Sequence, residues 1–140
     1  MKYIFLTTFF VLAIVANISG QVAVIANPSV PVDTITNIEI LDFYTRDIRF
    51  WENKKPVIVF DLKPKGKVKE VFYEFLGKST SRMKSIWMKK MLSGEGDPPE
   101  VVDSENEMIN RVLSTPGSIG FVHQSLVTYK VKVLAIIESK

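Results

Sequence analysis

The chain has 140 residues with 18 basic and 15 acidic side chains, a formal charge of +3, one histidine and no cysteine. A balance that close to neutral excludes a general nucleic-acid binder, and the missing cysteine excludes a disulfide framework, a lipoprotein cysteine and thiolate metal sites.

The first element is a targeting segment. Lys2 is a positive start, and Tyr3 to Ala16 form an uncharged, mostly apolar run of 14 residues. Asn17-Ile18-Ser19-Gly20 then turns small and polar, with cleavage expected between Gly20 and Gln21. Spanning a bilayer takes about 20 apolar residues, so this run reads as a signal peptide and not as an anchor. The expected organisation is therefore a signal peptide at 1–20 and one domain at 21–140, periplasmic or secreted and not membrane-embedded after cleavage. About 120 residues can bury one core but not two.

Val22 to Ala26 is a short apolar run closed by Asn27-Pro28, a buried strand ending in a turn. Thr36-x-x-Glu39 is a capping box with Ile35 and Ile40 at the staple positions, so a helix is expected at 37–46 with Leu41 and Tyr44 among its inward residues. Trp51 precedes a polar turn, Pro56 and a second buried strand, Val57 to Phe60.

Val68, Val71, Phe72, Phe75 and Leu76 repeat at helical spacing, and Gly77 stands at the stop. Ser79 or Thr80 can cap a further helix with Met83, Ile86, Trp87 and Met91 on one side. The glycine- and proline-rich stretch Ser93 to Pro99 breaks the chain into an exposed loop, and Val101-Val102 allows a brief strand. Ser104-x-x-Glu107 is a second capping box, opening a helix with Met108, Ile109, Val112 and Leu113 inward and Pro116-Gly117 at its end. Ile119 to Val122 and Val131 to Ile137 close the chain as strands. This order argues for an α/β fold, a mixed sheet with helices on its faces.

Charge is unevenly placed. Eleven basic residues lie between Lys54 and Lys90, whereas six acidic and no basic residues lie between Met91 and Asn110. The two stretches read as a solvated surface whose halves attract each other, or as a basic rim around an anion site. Gly66 opens a helix among Lys63, Lys65, Lys67 and Lys69, where free backbone N–H groups and the helix dipole suit an anion, or where the period-two lysines simply form an extended, water-facing loop. Asn27 and Ser29 can donate from a strand-end turn, or simply shape it. The candidate anion-binding residues are thus Lys65, Gly66, Lys67, Asn27 and Ser29. His123 lacks a partner at ligand spacing, Trp51 and Trp87 read as packing residues, and the acidic stretch does not match a calcium loop. No nucleophile–base set, metal cluster or P-loop is present, so no enzyme, no cofactor and no metal are expected.

Several landmarks in order resemble the phosphate ABC-transporter periplasmic substrate-binding family: Val24-Ile25-Ala26-Asn27-Pro28-Ser29, Thr36-x-x-Glu39, Trp51 before its strand, Gly66 before Phe72, Trp87 followed by Ser93-Gly94-x-Gly96-x-Pro98-Pro99, and Pro116-Gly117-Ser118-Ile119-Gly120-Phe121-Val122. The resemblance implies a single periplasmic-binding-protein-like lobe, a twisted mixed sheet flanked by helices. It further implies solute binding: inorganic phosphate or a similar oxyanion as ligand, and an ABC permease or an envelope protein as partner. In the family, this lobe's share of the ligand contacts comes from a basic residue after a strand and a Ser-Gly-Thr at the next helix start. Here that loop is Asp61-Leu62-Lys63-Pro64-Lys65-Gly66-Lys67: the glycine stays, lysines replace the hydroxyl residues, and Asp61 stands where the family has arginine. Weak oxyanion binding is the first expectation. An envelope adaptor or sensor-type protein that kept the lobe without ligand capture is the alternative.

Overall fold

The sheet begins with Val22–Ala26 (β1), five apolar residues without polar alternation, and all five are buried. A run buried on both faces belongs inside a sheet with layers above and below. The computed structural model describes residues 21–139, so the expected signal peptide lies outside the described residues.

After β1 come α1 (Asn37–Thr45), β2 (Ile58–Leu62), α2 (Lys67–Leu76), α3 (Thr80–Leu92), β3 (Glu100–Val102), α4 (Glu105–Ser114), β4 (Ser118–His123), a 3-10 turn at Gln124–Leu126 and β5 (Lys132–Ile137). The five strands form one mixed sheet in the order β3-β2-β4-β1-β5. β2 runs parallel to β3 and β4, while β1 runs antiparallel to β4 and β5. The registers Ala26↔Ile119 and Val59↔Ile119 put the end of β1 beside the start of β2. The loops that follow β1 and β2 therefore leave from opposite ends of the sheet.

Local signals place the helices. Thr36 caps α1 in a complete box: its hydroxyl accepts from the Glu39 N–H, and the Glu39 carboxylate accepts from the Thr36 N–H. The second box is shifted by one residue. Ser104 accepts from the Glu107 N–H, but the Glu107 carboxylate reaches the N–H of Asp103. On α2, Val71, Phe72 and Leu76 are buried and Val68 and Phe75 partly so. Phe72 stacks on Phe121 with ring centroids 3.9 Å apart, and Tyr44 meets it edge-on at 4.7 Å.

Both tryptophans pack and are tied: Trp51 Nε1 donates to Gly117 O at 2.9 Å, and Trp87 Nε1 to Tyr44 O at 2.7 Å. Two expectations are corrected. Met91 is exposed, because α3 buries only Met83 and Trp87 and its last turn runs past the core. β2 continues through Asp61 and Leu62, so both leave the following loop for the sheet.

Candidate functional site

The loop between β2 and α2 is short and basic. It leaves the sheet edge beside β3, where the Lys63 N–H donates to Val102 O, and it turns at Pro64 with the Lys65 N–H on Lys63 O. Gly66 takes φ 100°, and no side chain caps the first turn of α2. The positive end of that helix is thus open. Leu62, Lys63, Lys65, Gly66, Lys67 and Val68 face Asp103 and Glu105 across a cavity of about 180 Å³.

The four lysines of the motif have separate fates. Lys63 pairs with Asp103 at 2.8 Å, and that carboxylate raises the Lys63 pKa above its ordinary value. Lys67 stands 4.0 Å from Glu70 with both side chains in water, and Lys65 forms no ion pair among the described residues. Lys69 was expected to add charge around the helix start, but it is buried. Its Nζ donates to Asp61 Oδ2 at 3.2 Å and to Leu62 O at 2.6 Å, and it lies 4.9 Å over the Tyr73 ring.

Asp61 completes that cluster. It accepts from the Tyr73 hydroxyl at 2.5 Å and from the Leu62 N–H at 2.8 Å. Burial, followed by the Asp61 charge, pushes the Tyr73 phenol above the usual tyrosine range. Asp61 thus has its own buried counter-ion. Sequence reasoning missed the pair; the i, i+8 separation of Asp61 and Lys69 spans a strand end and a helix start, and only their packing brings them together.

Asn27 and Ser29 are not brought to this site. They follow β1 at the opposite end of the sheet. Asn27 Nδ2 donates to Val112 O and Leu113 O at 2.9 and 3.1 Å, its Oδ1 accepts from the Ser29 N–H, and Ser29 Oγ accepts from the Gly117 N–H. Both residues spend these groups in holding the end of α4 to the turn, which is the shaping role that Asn-Pro-Ser also suggested. His123 ends β4, and its Nδ1 accepts from the Ser125 N–H at 3.1 Å. Among the described residues, no group of three His, Asp or Glu side chains is placed to hold a metal ion, and no helix is long and apolar enough to cross a membrane.

No protein-family model and no curated protein matches the chain. Solved structures do. A phosphate ABC transporter substrate-binding protein from Clostridium perfringens, solved with bound phosphate, superposes with a TM-score of 0.68 at 19% identity over 81% of this chain and 44% of its own. An ABC-type phosphate transport receptor from Vibrio cholerae gives 0.66 at 18% identity, covering 81% and 45%. PstS from Borrelia burgdorferi gives 0.63 at 15%, covering 84% and 48%. The chain thus spans less than half the length of these solved proteins. Identities this low speak to architecture alone: a five-stranded mixed sheet flanked by helices, the periplasmic-binding-protein-like lobe.

Proposed function

We propose that the chain is an exported solute-binding lobe, with a signal peptide at 1–20 and a mature domain at 21–140, that binds phosphate or a similar oxyanion weakly at Lys65, Gly66 and Lys67. The observation that carries the reading is the uncapped start of α2 flanked by two lysines in water, on a fold shared with a protein solved with bound phosphate. An anion there takes backbone N–H groups, the positive helix end and lysines acting as point charges. An ABC permease is the partner class that the solved neighbours suggest. Nothing in this reading calls for a catalytic residue.

Affinity is limited by two features. The cavity is open, so water screens every contact, and Asp103 and Glu105 on its far wall repel an anion. Binding is expected on the order of millimolar, about 4 kcal/mol. Titrating phosphate while following backbone amides should give saturable shifts centred on residues 65–69, weakening with salt. Lys65→Ala with Lys67→Ala should abolish them, and Asp103→Asn should strengthen them. Shifts spread over all lysine-rich surfaces, or submicromolar binding by the monomer, would overturn the site. An intact Met1 on the purified soluble protein would overturn the signal-peptide reading.

A further inference from the structure

Arg46 is the residue that the fold treats least economically. It ends α1 in the left-handed region, φ 68°, where a side chain carries a backbone cost and glycine would not. Its guanidinium turns into the protein beside the start of β2. Nη2 donates to Val57 O at 3.3 Å, while Nη1 is buried and has no hydrogen-bond partner among the described residues. Arg46 as a whole is half-buried, but a guanidinium nitrogen enclosed without a partner is costly, and native proteins seldom keep one without a use.

The surroundings hold space and surplus positive charge. Arg46, Val57, Val59, Asp97, Pro98 and Glu100 line a cavity of about 290 Å³, at the far end of β2 from the Lys65–Lys67 loop. Glu100 is engaged by Arg111. Arg49 is close enough that its charge, after burial itself, pulls the Arg46 pKa down, whereas Asp97 pulls it up. Asp97 nevertheless forms no ion pair with either arginine. Two arginines against one unpaired carboxylate leave one positive charge over.

We infer that the Arg46 cavity is a binding site for a small carboxylate, which takes the free Nη1 donors together with the remaining N–H of Nη2. The end of a guanidinium presents two parallel donors, which match the two oxygens of a carboxylate. Nη1 has no exposed surface, so binding requires the loop that carries Gly96 and Asp97 to shift as the ligand enters. Gly96 packs on the stems of both arginines there, and a Cβ at that position would lie 3.3 Å from Arg49 Cδ and 3.5 Å from Arg46 Cβ. Asp97, on the same loop, is the internal rival for the fork.

The test is an acetate titration at constant ionic strength, following amides 46, 57–59 and 96–98 and the Arg46 Nε–H by NMR. Saturable shifts confined to those positions are expected. Asp97→Asn should tighten binding by about threefold or more, because it removes the rival charge. Arg46→Lys keeps the charge and loses the fork, and should weaken binding by about tenfold. Arg46→Gly should fold at least as well in anion-free buffer, since glycine suits φ 68°, and should lose the response. The Lys65→Ala, Lys67→Ala protein should respond to acetate like the wild type, which separates this site from the oxyanion site. Equal shifts in Arg46→Gly, or no saturable response in Asp97→Asn, would overturn the assignment.

Discussion

Replacing Lys69 by methionine tests how the β2–α2 junction is held. The side chains of Lys69 and Asp61 are 9% and 2% exposed, and among the described residues the ammonium is the only positive group within ion-pair distance of that carboxylate. Methionine keeps much of the stem volume but removes the charge, the donor to Leu62 O at 2.6 Å and the contact over Tyr73. Asp61 would retain its bonds from Tyr73 and the Leu62 N–H, both neutral, and would stay in place as an uncompensated buried charge. Breaking a buried pair from one side costs about 3–5 kcal/mol, a large share of the roughly 5–15 kcal/mol that holds a domain together. Adding Asp61→Asn removes the bare charge while leaving an oxygen for Tyr73 or Leu62, so the double variant should return to within about 2 kcal/mol of the wild type. Urea unfolding followed by fluorescence of Trp51 and Trp87 measures all three proteins. A single-variant loss below about 1 kcal/mol, or a double variant no better than Lys69→Met, would refute the claim that the pair is buried and coupled.

Phe72→Ala should cost about 3–5 kcal/mol in the same assay, since the ring is fully buried between Tyr44 and Phe121; a loss under about 1 kcal/mol would mean that the α2 face is exposed. Gly117→Ala should destabilise by about 1–2 kcal/mol or more, because φ is 75° and the new Cβ would meet Pro56 O at 2.7 Å; an unchanged midpoint would count against that turn. Tyr44 and Tyr73 have pKa values raised above the ordinary tyrosine range, by burial first and then by Asp61. Their unfolded forms ionise near pH ~10 while the folded forms stay neutral, so stability is fully present below that pH and falls as pH rises beyond it, by up to about 1.4 kcal/mol per pH unit for each ring. Unfolding midpoints between about pH 9 and 11 should show the fall, and Tyr73→Phe should make it shallower; equal slopes would contradict the burial of that hydroxyl.

Apolar run length, capping residues and glycine stops are local properties, and they place the elements. β1, α1, α2, α4 and the brief β3 all lie where period and capping put them, to within a residue or two. A local reading ends the strand at Phe60, because a polar residue inside a run looks like its end; Asp61 is accommodated in β2 by partners that the fold supplies, Lys69 and Tyr73, eight and twelve positions later. Strand direction is likewise decided by tertiary structure. Asn27 and Lys65 both follow strands, and nothing local in either segment says that β1 and β2 run oppositely through β4 and carry the two loops to opposite ends. The identity of a lysine as surface charge or buried counter-ion, and of Arg46 as a helix stop with its guanidinium turned inward, depends on groups distant in the chain. A backbone hydrogen bond or a cap is settled within a few residues of sequence, whereas the fate of a charge is settled by whatever the fold packs against it.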